Sequence, residues 1–93
     1  MKNKSKALSK NIIISNELGL HARVAAQIAK IAQFATAKVW LLKDGEKVDA
    51  ASIIDILTIA GTKGSRVTLT VDDPADIDIL NKIENLFKNK FGE

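Results

Sequence analysis

The chain carries a single histidine, His21, within Gly19-Leu20-His21-Ala22-Arg23, and it has no cysteine. Thiol catalysis, thiolate metal sites and disulfides are thereby excluded. His21 falls where a loop gives way to an amphipathic helix. The first backbone N–H groups of a helix lack intrahelical partners and point outward. The helix dipole adds positive potential at that end, so the junction is an anion site suited to phosphate. The amides of Ala22 and Arg23 are the expected backbone donors. The Arg23 guanidinium offers planar, multi-donor recognition of the same oxygens. Gly19 permits a sharp bend that leaves the imidazole uncovered.

The dipole opposes an imidazolium at this end of the helix, and a neutral ring keeps a nucleophilic lone pair. Attack on a phosphoryl donor needs mainly positioning and charge stabilisation of the moving oxygens. No carboxylate base is required, and the sequence contains no metal-ligand cluster. The plain alternative is that His21 is a polar loop residue and Arg23 a solvated first-turn residue.

Ser52 is the second residue of interest. Its structural role is to cap a short helix, with Asp55 three residues on as in a capping box. As a phosphorylation site it would add negative charge at a helix start. Ile53, Ile54 and Leu57 follow it. So short a helix cannot bury them all, and an exposed apolar patch of this kind marks a partner site.

The elements that must position these residues follow from pattern. Leu8 to Ser15 reads as a strand with Ile12 and Ile14 on one face. Ala22 to about Phe34 reads as a helix with Val24, Ile28, Ile31 and Ala35 inward. Lys38 to Lys43 is a strand with Val39 and Leu41 opposite Trp40 and Leu42. Asp44-Gly45 signals a two-residue hairpin turn into a short strand, Glu46 to Asp49. Ser52 to Ile59 is the second helix, with Gly61 expected to close it. Thr62 to Ser65 is a turn. Arg66 to Asp72 alternates, with Val67, Leu69 and Val71 inward. Asp73-Pro74 opens a last helix to about Lys90, striped by Leu80, Ile83 and Phe87, with Ile79 and Leu86 beside them. The order β-α-β-β-α-β-α predicts an α+β fold, a four-stranded antiparallel sheet with three helices on one face and Trp40 on the other.

Ninety-three residues make one domain, 1–93, and apolar and charged shares of 46 % and 27 % are ordinary for a globular protein. The net charge is +3. Much of it is placed at Lys2, Lys4, Lys6 and Lys10, read as a solvated tail. With one Trp, three Phe and no Tyr, the chain lacks the dense basic, aromatic face of a nucleic-acid binder. The lysine-rich start has no apolar run of signal-peptide length, and no stretch is long enough to span a membrane. The expectation is a cytoplasmic monomer.

The sequence resembles the HPr family, the histidine phosphocarriers of the phosphoenolpyruvate-dependent sugar phosphotransferase system. The likeness runs from Leu8 onward. It rests on Gly19 to Arg23, on Ala51-Ser52-Ile53, on Lys63-Gly64 and on the spacing from His21 to Ser52. It implies an open-faced β-sandwich and no cofactor. It implies that the protein is no enzyme but a carrier, taking a phosphoryl group on Nδ1 of His21 from enzyme I. The group passes on to IIA proteins, with Arg23 coordinating it. Ser52 matches the serine phosphorylated by HPr kinase/phosphorylase. Leu20, Ala26, Ile53, Ile54 and Leu57 fall where family members dock their partners. The alternative within the family is a regulatory member of a nitrogen-type phosphorelay. A protein-interaction module without phosphotransfer is the alternative outside it.

Two features depart from the family. Val24 stands where many members have proline; it fills similar space and restores an N–H in the first helical turn. The extension from Met1 to about Ala7 is expected to be flexible.

Overall fold

The computed structural model describes residues 7–59 and 61–93. The expected flexible extension therefore lies outside the described residues, Ala7 excepted. Strands β1 (Leu8–Ile13), β2 (Val39–Lys43), β3 (Glu46–Asp49) and β4 (Arg66–Val71) form one antiparallel sheet in the order β1-β4-β2-β3. The helices are α1 (Ala22–Ala32), α2 (Ile53–Thr58) and α3 (Ile77–Lys88). The fold is the predicted α+β sandwich with one open sheet face.

Strand alternation decides which face is covered. Ile12, Val67, Leu69, Val71, Val39 and Leu41 are buried beneath the helices. Ile14, just past β1, joins them and has no exposed surface. The register sets Ser9, Thr70, Trp40 and Asp49 in a row across the open face. Trp40 is anchored there, with Nε1 3.1 Å from Asp72 and the Lys47 ammonium 4.4 Å from its ring centroid. Asp44 and Gly45 both take positive φ, 51° and 83°, which is the geometry a two-residue hairpin demands.

The helices pack as amphipathic elements. Helix α1 buries Val24, Ala25, Ile28, Ala29 and Ala32, a broader stripe than the large residues alone indicate, and Ile31 and Ala35 flank it. Val24 is fully buried, so valine takes its place in the core as expected. Helix α3 buries Leu80, Ile83 and Phe87. Asp76, at its start, accepts from the amides of Thr36 and Ala37 at 2.7 and 2.9 Å. Those bonds tie the α1–β2 connection to α3.

Four expectations are corrected. Gly61 does not close α2 in a left-handed conformation; Ile59 is the C-cap. Gly61 is a close-packing position, where a Cβ would fall 2.6 Å from Ile14 and 2.7 Å from Leu20. Ser52 does cap α2, accepting from the Asp55 amide at 3.2 Å, but its own N–H goes to the Asp49 carbonyl. The return bond of a capping box is absent among the described residues. Lys10 is no tail residue: it lies in β1 and pairs with Glu84 of α3 at 3.0 Å.

The C-terminal segment shapes the site. The predicted single C-terminal helix is a 3-10 turn (Pro74–Asp76) capped by Asp73, then α3, then a second 3-10 turn, Lys90–Gly92. Lys90 and Phe91 both take left-handed φ, 54° and 56°. Such φ is unfavourable for residues with a Cβ. Burial of Phe91 against Phe87, with ring centroids 4.8 Å apart in an edge-to-face arrangement, offsets it. The reversal carries Glu93 back to the start of α1.

Candidate functional site

His21 is the N-cap of α1, with φ −113° and ψ 179°, and its side chain makes no capping bond. The loop before it is held by short backbone approaches. Gly19 has φ +67°, and a Cβ there would lie 2.4 Å from the Gly61 carbonyl oxygen. Leu20 N–H donates to that same oxygen at 2.9 Å. Further along, Ile14 pairs with Ser65 and Gly64. The loop is thus clamped to the turn before β4, and the ring projects from a fixed base.

Ala22, Arg23 and Val24 occupy the first turn of α1, where N–H groups have no intrahelical acceptor. The first backbone bond of the helix runs from Ala25 N–H to His21 O at 2.8 Å. The expected anion-binding amides therefore sit beside the histidine, and their orientation follows from the helix.

The residue that sequence reasoning missed is Glu93. Its Oε2 accepts from His21 Nε2 at 3.1 Å, from Asn16 Nδ2 at 3.0 Å and from Arg23 at 3.2 Å. The second Arg23 nitrogen donates to the Phe91 carbonyl at 2.9 Å. The hydrogen bond from His21 is the main reason the Glu93 carboxyl lies below the usual carboxylate range. Partial burial opposes that effect, and Asn16 and the Leu18 amide add to it. No local signal could have revealed Glu93, because the contact depends on the reversal at Lys90 and Phe91.

The contact fixes the tautomer. An ionised carboxylate can only accept, so in the neutral ring Nε2 carries the proton and the lone pair lies on Nδ1. Among the described residues Nδ1 makes no hydrogen bond. The cluster thus presents one nucleophilic nitrogen, a guanidinium and a helix N-terminus, with a counter-charge behind the ring. Among the described residues no group of three His, Cys, Asp or Glu side chains is placed to hold a metal ion, and no helix is long and apolar enough to cross a membrane.

Ser52 lines a groove of about 570 Å3 between α1 and α2, together with Ala26, Ala29, Lys30, Ile53 and Ile54. Ile53, Ile54 and Leu57 are all exposed, Ile54 to 76 %. Ala26 is exposed as well. Leu20 differs from expectation. It is 7 % exposed and belongs to the core against Gly61, so it offers little surface to a partner.

Residues 8–89 match the family described as "PTS HPr component phosphorylation site". The phosphocarrier protein HPr of Treponema pallidum is 38 % identical over 84 residues, covering 90 % of this chain and 96 % of that protein. The phosphocarrier protein NPr of Klebsiella oxytoca is 31 % identical, covering 92 % and 97 %. The crystal structure of HPr-C-His from Thermoanaerobacter tengcongensis superposes with a TM-score of 0.87 at 32 % identity, covering 92 % of this chain and 97 % of that one. The chain belongs to the HPr family of phosphocarrier proteins of the phosphotransferase system.

Proposed function

We propose that His21 is the phosphoryl acceptor and that Nδ1 is the atom phosphorylated. The observation carrying this reading is the Nε2–Glu93 bond, which leaves Nδ1 as the unengaged nitrogen at the start of α1. As Nδ1 attacks phosphorus, an N–P bond forms and the bond to the donor's leaving group breaks. Arg23 and the first-turn amides of Ala22 and Arg23 stabilise the phosphoryl oxygens. The proton stays on Nε2, where Glu93 balances the charge gained by the ring. Arg23 must exchange its partners, Glu93 and the Phe91 carbonyl, for the phosphoryl oxygens.

In this reading phospho-enzyme I is the donor and IIA proteins are the acceptors, in the cytoplasm, with the carrier acting as a monomer. Ala26, Ile53, Ile54 and Leu57 form the docking surface. Ser52, on the rim of the same groove, is the regulatory site that HPr kinase/phosphorylase would modify. The nitrogen-type regulatory role has no particular support, since the NPr relative is no more similar than the HPr one.

The test is mass spectrometry of the intact protein after incubation with enzyme I and phosphoenolpyruvate, beside His21→Ala. Acid-labile phosphate on the wild type alone supports the reading. A folded wild type that takes no phosphate, while another HPr is labelled in parallel, removes it.

A further inference from the structure

We infer that Asn16 is a positioning residue for phosphoryl transfer, holding Glu93 against Nε2 of His21; the inference rests on His21 being the acceptor. Asn16 lies in the loop between β1 and α1 and is only 1 % exposed. Its Nδ2 uses both hydrogens, one to the Gly19 carbonyl at 2.9 Å and one to Glu93 Oε2 at 3.0 Å. The Gly19 carbonyl also accepts from the His21 amide at 3.1 Å. One buried amide thus grips the backbone leading into the histidine and the carboxylate bound to its ring.

The orientation of that amide is determined. Turned over, its oxygen would face the Gly19 oxygen and the Glu93 oxygen, with no donor in between. As placed, Oδ1 is buried and has no hydrogen-bond partner among the described residues. An unpaired buried oxygen opposes folding. The loop does not need this side chain for its turn, which the backbone bond from Gly19 N–H to Asn16 O already closes at 3.2 Å. What the asparagine supplies is the donor.

Asn16 touches neither the ring nor the phosphoryl group in this scheme. It acts through Glu93, much as an outer partner orients a functional histidine. With Oε2 held, the Nε2–H tautomer persists and the Nδ1 lone pair keeps its direction. Without the Nδ2 donor, Glu93 keeps only His21 and Arg23 as side-chain partners among the described residues. Arg23 is the partner that leaves when phosphate arrives, so Asn16 is the side chain that holds the carboxylate through the reaction.

The experiment uses the full chain and the variants Asn16→Leu, Glu93→Ala and both together. Asn16→Leu removes the donor and the unpaired oxygen at similar volume; Asn16→Asp, closer in shape, is the second variant should leucine disturb the fold. Two quantities are read: the ring 15N shifts of His21 at a pH where the ring is neutral, and the rate of phosphoryl acceptance from phospho-enzyme I. The expected result is loss of the Nε2–H tautomer preference and a roughly tenfold slower rate in each single variant. The double variant should be no slower than either single one. Unchanged ring shifts and rate in a folded Asn16 variant would overturn the inference, as would losses that multiply in the double variant. The ring shifts need no phosphoryl donor, so they decide the role of Asn16 even if His21 proves not to be the acceptor.

Discussion

The Glu93 carboxylate and the His21 ring are 72 positions apart in sequence, yet Oε2 lies 3.1 Å from Nε2. The pairing gives the histidine a direction, because the nitrogen facing the carboxylate must carry the proton. The same oxygen accepts from Arg23 at 3.2 Å. The site is therefore organised around an internal anion.

Arg23→Ala should slow phosphoryl acceptance by roughly two to three orders of magnitude, the scale for losing a donor aimed at developing charge. The thermal midpoint should hardly move, because the Arg23 side chain is 48 % exposed and exposed ion pairs add little to stability. Rapid-quench labelling and a melting curve check the two halves. Undiminished transfer would remove Arg23 from the site.

Gly19→Ala should destabilise the fold by about 2–4 kcal/mol, since the site demands positive φ and its Cβ meets a carbonyl oxygen. For a domain of this size that is a fall in Tm of roughly 10–25 °C. Gly45→Ala is the contrast: φ is also positive, at 83°, but nothing lies within 4 Å. It should cost about 1 kcal/mol. Equal losses in the two variants would show that φ alone matters and that the contact with Gly61 does not.

Asp76 should govern part of the acid stability. The Thr36 amide first, and the Ala37 amide next, hold its carboxyl below the usual carboxylate range, with burial opposing. A folded value below the unfolded one means the stabilisation is complete above the unfolded pKa, about 3.9. It is lost as pH falls through the folded value. Urea unfolding between about pH 5 and pH 2 should therefore show a shallower decline for Asp76→Asn than for the wild type. At neutral pH the variant should be less stable by about 1–3 kcal/mol.

Ser52→Ala should cost about 1 kcal/mol through loss of the cap to Asp55. Ser52→Asp keeps a capping oxygen and adds charge beside the groove. It should stay near wild-type stability while binding enzyme I more weakly in calorimetry. Equal affinity would count against regulation through this surface.

Ile54→Glu should leave stability within about 0.5 kcal/mol, as expected for an exposed site. Affinity for enzyme I should drop at least about fivefold, because a charge replaces apolar contact surface. An unaltered affinity would place the docking surface elsewhere.

Most of the frame was legible in the sequence because its signals are local. The alternation of Arg66 to Val71, the Asp44-Gly45 turn and the spacing of Leu80, Ile83 and Phe87 each specify an element through neighbouring residues. The motif Gly19 to Arg23 likewise located the histidine at a helix start. The differences from local pattern share a different cause. Gly61 looked like a helix terminator, but its lack of a Cβ serves the approach of Ile14 and Leu20. Leu20 falls where family members dock their partners, but the clamp between Gly19 and Gly61 turns its side chain into the core.

By itself the sequence determined the order of elements, the open sheet face, the histidine at the helix start and the family. Tertiary structure alone decided what surrounds that histidine. Phe91 buries against Phe87 and bends the chain through two left-handed residues, which returns Glu93 to His21, Arg23 and Asn16. Periodicity reports only which face of an element is apolar. It carries no information on where a chain reversal accompanied by one aromatic contact will set a distant carboxylate, and that placement decides which ring nitrogen of His21 faces Glu93.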